Sequence, residues 1–159
     1  LAWPTVELVL LDRQALVSRQ CIADFAALGW KVTVVQDDIF SWASSAGTER
    51  FDAITANLFL HHFKDADLAR LLEAMAPLAP VFLATEPLRT RFPLLASSML
   101  RVIGANDVTR HDAPASVRAG FKGRELSALW PEESDAVLIE KRRGLFTHSF
   151  AALARMRAA

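Results

Sequence analysis

The chain has 159 residues, 52% of them apolar, with 18 basic and 18 acidic side chains in balance and one cysteine, Cys21. That is enough apolar material for one domain with a real core, and too much for a disordered chain. The balanced charge argues against a nucleic-acid footprint, the lone cysteine rules out an intrachain disulfide framework and favours a cytoplasmic compartment, and no apolar run approaches the roughly 20 residues of a membrane span.

The first element in chain order is "VELVLL" (6–11), a near-continuous apolar run that predicts a strand buried on both faces, ending at Asp12. In "SRQCIADFAALGW" the spacing of Cys21, Ile22, Phe25 and Leu28 predicts a helix, with Ser18 as N-cap and Gly29 just past the end. "KVTVVQ" predicts a second strand, closed by Asp37 and Asp38, and "SSAGTER" a polar loop. "FDAITANLFL" predicts a third strand over about 52–56. Asp65 then caps a helix whose buried stripe is Leu68, Leu71, Leu72 and Met75, ended by Pro77. "APVFLATEP" predicts a fourth strand, ending at Glu86. Residues 91–130 read as a mostly helical, substrate-covering segment within a single domain. "DAVLIEKRRGLFTHSFAALAR" predicts two antiparallel strands around a turn at Arg143 and Gly144.

Alternating strands and helices predict a Rossmann-like, doubly wound α/β fold: a mostly parallel sheet with helices on both faces and a C-terminal antiparallel hairpin. In such sheets ligands bind outside the carboxyl ends of the strands. The polar residues there are Asp12, the Asp37–Asp38 pair, Asn57 with His61 and His62, and Glu86. An acidic residue at such an end suits ribose hydroxyls, and a second carboxylate suits an exocyclic amine. Each also has a plainer reading: Asp12 as a helix cap, the aspartates as solvated turn residues, the histidines as satisfied core groups.

The order of "VELVLLD", "VVQDDIFSW", "FDAITANLFLHHFKDADLARLL", "LATEP" and the closing hairpin, over about 4–150, resembles the class I S-adenosylmethionine-dependent methyltransferases, in particular the bacterial small-molecule type. The resemblance implies S-adenosylmethionine as cofactor, with Asp12 on its ribose, Asp38 on the adenine amine, Ile39 against the ring and Asn57 beside the methionine part. It places "LHHF" near the transfer site, with at least one histidine ring turned inward. His61, His62 and His111 are the candidate bases for an oxygen acceptor, and Glu86, Arg110 and Arg118 the expected substrate-binding residues. The expected partner is a small molecule, with no nucleic acid, membrane or metal.

One departure stands out. The family's glycine-rich loop and the strand before it have no counterpart, although that strand is central in the family's sheet. Two strand edges would be left without partners. This predicts an upstream segment, or a strand donated by a second copy in a homodimer. A nicotinamide-dependent oxidoreductase and a non-catalytic methyltransferase-like binding or dimerisation module are the alternatives; the closing hairpin argues against the first.

Overall fold

A computed structural model describes residues 5–45, 49–90 and 117–155. The chain divides into two compact units, Leu1–Gly47 and Thr48–Ala159.

In the first unit, strands β1 (Glu7–Asp12) and β2 (Lys31–Gln36) pair in parallel, joined by helix α1 (Arg19–Ala27). Ser18 caps α1 as expected, its hydroxyl accepting from Cys21 N at 3.1 Å. Gly29 ends it at φ 78°, a left-handed angle that glycine adopts without steric cost. The polar loop expected after β2 is preceded by a helix that periodicity did not reveal, α2 (Ile39–Ser45). Asp38 starts it: its Oδ1 accepts from Phe40 N at 2.9 Å.

The second unit holds a four-stranded sheet in the order β3-β4-β6-β5, built from β3 (Ile54–Asn57), β4 (Val81–Pro87), β5 (Ala136–Arg143) and β6 (Thr147–Ala154). β3 and β4 are parallel. β6 runs antiparallel to both β4 and β5. Parallel and antiparallel pairings therefore share the fold, the antiparallel ones all made by the C-terminal hairpin that the sequence predicted. Among the described residues β1 pairs only with β2 and β3 only with β4, so one edge of each has no strand beside it. These are the two edges the sequence marked.

Helix α3 (Asp65–Met75) follows β3 after a 3₁₀ turn at Leu60–His62, and a short helix α4 (Glu125–Leu129) precedes β5. α3 buries the stripe its spacing predicted, Leu68, Leu71, Leu72 and Met75. Asp65 is its first residue rather than its cap. Lys64 holds the cap position without a side-chain bond, and Asp65 and Asp67 place negative charge in the first turn, where the helix dipole favours it. On the sheet, strict alternation buries Phe82, Ala84 and Glu86 of β4 and His148, Phe150 and Ala152 of β6. Trp130 closes this core, 5.3 Å from the Phe82 ring and 5.5 Å from that of Phe150. The opposite parity, Leu83, Val137 and Ile139, is exposed. No helix among the described residues is long and apolar enough to cross a membrane.

Two contacts fix the end of the sheet where β4 finishes. Phe121 N donates to Pro87 O at 2.9 Å and Arg89 N to Phe121 O at 2.9 Å. This brings Gly120 so close that an added Cβ would lie 2.2 Å from the Pro87 carbonyl oxygen. The second contact is a buried pair in the hairpin: His148 Nε2 lies 2.7 Å from Glu140 Oε1, with side chains 1% and 0% exposed. Glu140 also accepts from Leu126 N at 3.1 Å and Ser127 N at 2.7 Å, tying the first turn of α4 to the hairpin. Burial pushes its carboxyl up, but His148 and the Ser127 and Leu126 donors outweigh this and hold it below its ordinary value.

Two outcomes follow. Gly120→Ala meets backbone that cannot give way, so it should destabilise the protein by about 2 kcal/mol or more in urea unfolding. For Glu140 the folded value is the depressed one. Its contribution is therefore complete above the ordinary value of 4.5 and is lost as the pH falls through the folded value. Glu140→Gln should lower stability at neutral pH and flatten the acid limb of the stability curve, measured by urea unfolding between about pH 3 and 7. An acid limb of unchanged slope would remove Glu140 from it.

Candidate active site

The carboxyl ends of β3 and β4 lie side by side, Asn57 in register with Thr85. The Thr85 hydroxyl donates to Asn57 Oδ1. The chain then turns through Leu58 in a left-handed conformation, φ 51°, which costs a non-glycine residue roughly 1–2 kcal/mol. Neighbouring bonds hold it there. Leu58 N donates to Thr85 O at 2.9 Å, and Phe59 N and Leu60 N donate to Glu86 Oε1 at 2.9 and 2.8 Å. The Leu58 side chain is left 54% exposed.

Glu86 organises the loop. Its side chain is fully buried, and its second oxygen lies 2.7 Å from His61 Nδ1 and 3.4 Å from His61 N. Backbone N–H groups converge on this carboxyl group, so it accepts, and the His61 proton sits on Nδ1. In the neutral ring Nε2 then carries the lone pair. No described residue is hydrogen-bonded to Nε2, and His61, buried at 8% exposure, is not among the described residues that line the neighbouring cleft. His62 is exposed, its ring centroid 4.2 Å from that of His61. One histidine thus turns inward and the other outward.

An open cleft of ≈ 490 Å³ lies at this end of the sheet. Asn57, Thr85, Glu86 and Thr147 line it from the strand ends, and Leu58, Pro87, Val117 and Phe146 supply apolar walls. Phe146 sits at the tip of the β5–β6 hairpin, where its carbonyl accepts from Leu88 N at 2.8 Å.

The structure corrects one expectation. Glu86 was expected on the substrate, but its oxygens are taken up by Phe59, Leu60 and His61. That leaves it as a positioning residue. Arg118 is exposed and is not among the described residues that line the cleft, although its neighbour Val117 is. Arg110 and His111 lie outside the described residues. In the first unit Asp12 is exposed at the end of β1, its Oδ1 accepting from Gln14 N at 2.7 Å. Asp38 and Ile39 begin α2, so Asp38 is a cap as well as a candidate ligand. Each aspartate retains an oxygen with no hydrogen bond among the described residues. Among those residues no set of three metal-ligating side chains is gathered.

Thr85, Leu58, Phe146 and Thr147 were not foreseen. Thr85 sits one residue before Glu86, so only the strand register could have drawn attention to it. The Glu140–His148 pair had a signal: both fall on the apolar parity of their strands, where a charged side chain requires a partner.

No protein-family model and no curated protein matches the sequence. Solved structures do. The plantazolicin methyltransferase BpumL, in complex with SAH, superposes with a TM-score of 0.65 at 14% identity, over 94% of this chain and 67% of that one. An O-methyltransferase family protein from Burkholderia thailandensis gives 0.63 at 14% identity over 94% and 43%, and the pyocyanin biosynthetic protein PhzM 0.61 at 16% over 92% and 42%. The chain therefore spans two thirds or less of the length of these structures. The likeness establishes a Rossmann-like fold of the methyltransferase type, as the motifs predicted.

Glu86→Gln replaces one accepting oxygen by an N–H₂ group facing donors. It should cost about 3 kcal/mol in urea unfolding, since a buried polar cluster would be left unsatisfied. His62→Gln, at an exposed ring, should cost under about 0.5 kcal/mol.

Proposed function

We propose that the protein transfers a methyl group from S-adenosylmethionine to a hydroxyl of a small molecule. The observation that carries this reading is the His61–Glu86 pair at the strand ends of a methyltransferase-type fold. The chemistry of the residues suits the cofactor unit by unit: in the first, the open carboxylate oxygens of Asp12 and Asp38 suit ribose hydroxyls and an adenine amine and Ile39 offers an apolar side chain for the ring; in the second, the Asn57 amide offers N–H donors for the methionine part. The structures of BpumL and of a magnesium protoporphyrin IX methyltransferase hold SAH, which supports the same cofactor here.

When bound, S-adenosylmethionine supplies an activated methyl group whose sulfur leaves as a neutral thioether. The protein's own work is to orient the acceptor and to take one proton from it. His61 is suited to the second task. Glu86 fixes its tautomer, so Nε2 offers the lone pair to the acceptor hydroxyl. The imidazolium that forms stays hydrogen-bonded to the Glu86 carboxylate through Nδ1–H. Glu86 thus holds the base in its accepting form and stabilises the charge it gains. His62 and His111 are the further candidates for this role, and Arg110 and Arg118 for holding an anionic group of the substrate.

Calorimetry on the full-length protein tests the cofactor. S-adenosylhomocysteine should bind, and Asp12→Ala should weaken it about tenfold or more, because ribose hydroxyls would lose a charged acceptor. Asp38→Ala should cost less. Binding of a nicotinamide dinucleotide in place of S-adenosylhomocysteine would overturn the assignment. Once an acceptor is in hand, His61→Gln should lower turnover by about 10²–10⁴-fold with cofactor affinity intact.

A further inference from the structure

Strand β5 (Ala136–Arg143) closes the sheet of the second unit. Among the described residues it pairs only with β6, in an unbroken register from Ala136 opposite Ala154 to Arg143 opposite Thr147. Asp135 O accepts from Arg155 N at 3.2 Å and Lys141 O from the Ser149 hydroxyl at 3.1 Å, so the odd-numbered residues turn their backbone groups toward β6. By the alternation of an antiparallel ladder, the N–H and C=O groups of Ala136, Leu138, Glu140 and Arg142 face the open edge. Edge strands are commonly blunted by a proline, a bulge or a central lysine, and the run from Ala136 to Ile139 has none of these. Val137 and Ile139 are instead 44% and 41% exposed on the outer face of the sheet.

Charge selects what can add to this edge. Glu132, Glu133 and Asp135 precede the strand, Lys141, Arg142 and Arg143 end it, and all six are exposed. Asp135 also meets Arg155 of its own chain at 3.6 Å and stays accessible. A second copy of this strand laid parallel sets acid beside acid and base beside base. Laid antiparallel, it sets the acidic end of each copy beside the basic end of the other. Directly opposed residues of an antiparallel ladder share a face, which leaves two registers that use nearly the whole strand. One sets Glu140 against Glu140. The other sets Ile139 against Ile139, Val137 against Lys141 and Ala136 against Arg142, and brings Asp135 next to Arg143.

We propose that β5 is a self-association edge: a second copy of this chain adds its own β5 antiparallel, about a two-fold axis at Ile139, and joins the two sheets into one. This contact is separate from the unpaired edges of β1 and β3, and it does not depend on the methyl-transfer reading. It is one strand wide on each side, so the dimer dissociates on dilution, at roughly micromolar concentrations.

Sedimentation of the full-length protein from about 1 to 500 μM tests this, with a monomer–dimer equilibrium expected across that range. Arg143→Glu sets acid against acid at both ends of the interface, and Asp135→Lys sets base against base. Each variant alone should associate about tenfold or more weakly. Mixed in equal amounts, the two restore opposite charges at both ends, and the dimer should return; its recovery shows that neither variant was merely misfolded. The register is read with Ile139→Cys in a Cys21→Ser background. Opposed residues outside the hydrogen-bonded pairs have Cα atoms about 4.5 Å apart, close enough for a disulfide, so mild oxidation should give a covalent dimer. Leu83→Cys, on the same face but two strands inward, should not cross-link. A monomer throughout the range, association indifferent to both charge reversals, a mixture no more dimeric than its components, or equal cross-linking at Leu83 overturns the proposal.

Discussion

A carboxylate in a protein interior is tolerated only where donors surround it, and the second unit is arranged around one such group. Glu86 sits at the end of β4, fully buried, and meets the N–H groups of Phe59 and Leu60 and the Nδ1 of His61. Taking a charge out of water costs several kcal/mol, so each of these bonds is needed. In satisfying Glu86 the chain is drawn into the turn that holds Leu58 in its left-handed conformation, starts the 3₁₀ turn and leads into α3. One side chain thereby sets the path of the loop, the tautomer of His61 and the floor of the cleft.

The same face of the sheet carries a second pair of this kind. Glu86 and His148 are direct neighbours across β4 and β6, and His148 in turn meets Glu140 of β5. Four buried ionisable side chains thus lie in two histidine–glutamate pairs on a surface that is otherwise Phe82, Ala84, Phe150 and Ala152. The pairs tie down different things. His61–Glu86 fixes the loop after β3, and His148–Glu140 fixes α4 to the hairpin. Apolar packing alone resists sliding poorly, whereas bonds with fixed partners define a register.

Much of this was legible in the amino-acid sequence, because the relevant signals are local. The stripe of α3, the Ser18 cap, Gly29 after α1 and the strand-ending residues Asp12 and Asn57 are each defined by neighbours within a few positions. Helix α2 was not legible, since seven residues beginning Ile39-Phe40 with none fully buried give no period to detect. The role of Glu86 was misread for a different reason. A glutamate at a strand end looks like a ligand-facing group until its partners are known, and those lie 25 to 27 residues earlier. Asp65 was read as a cap because acidic residues serve the cap and the first turn alike. The apolar walls of the cleft come from four separate stretches, which no spacing rule connects.

The hairpin adds a property of its own. Because β6 runs antiparallel between β4 and β5, its turn arrives at the end of the sheet where the cleft opens, with Gly144 at φ 63° and Leu145 and Phe146 exposed beyond it. The two strands are held by their own ladder, so residues added or exchanged at the tip are tolerated, and the entropy of closing a longer turn grows only slowly. The buried His61–Glu86 pair, by contrast, belongs to the interior and tolerates little change. This end of the sheet therefore joins a fixed interior pair to an exposed tip whose sequence is free to vary.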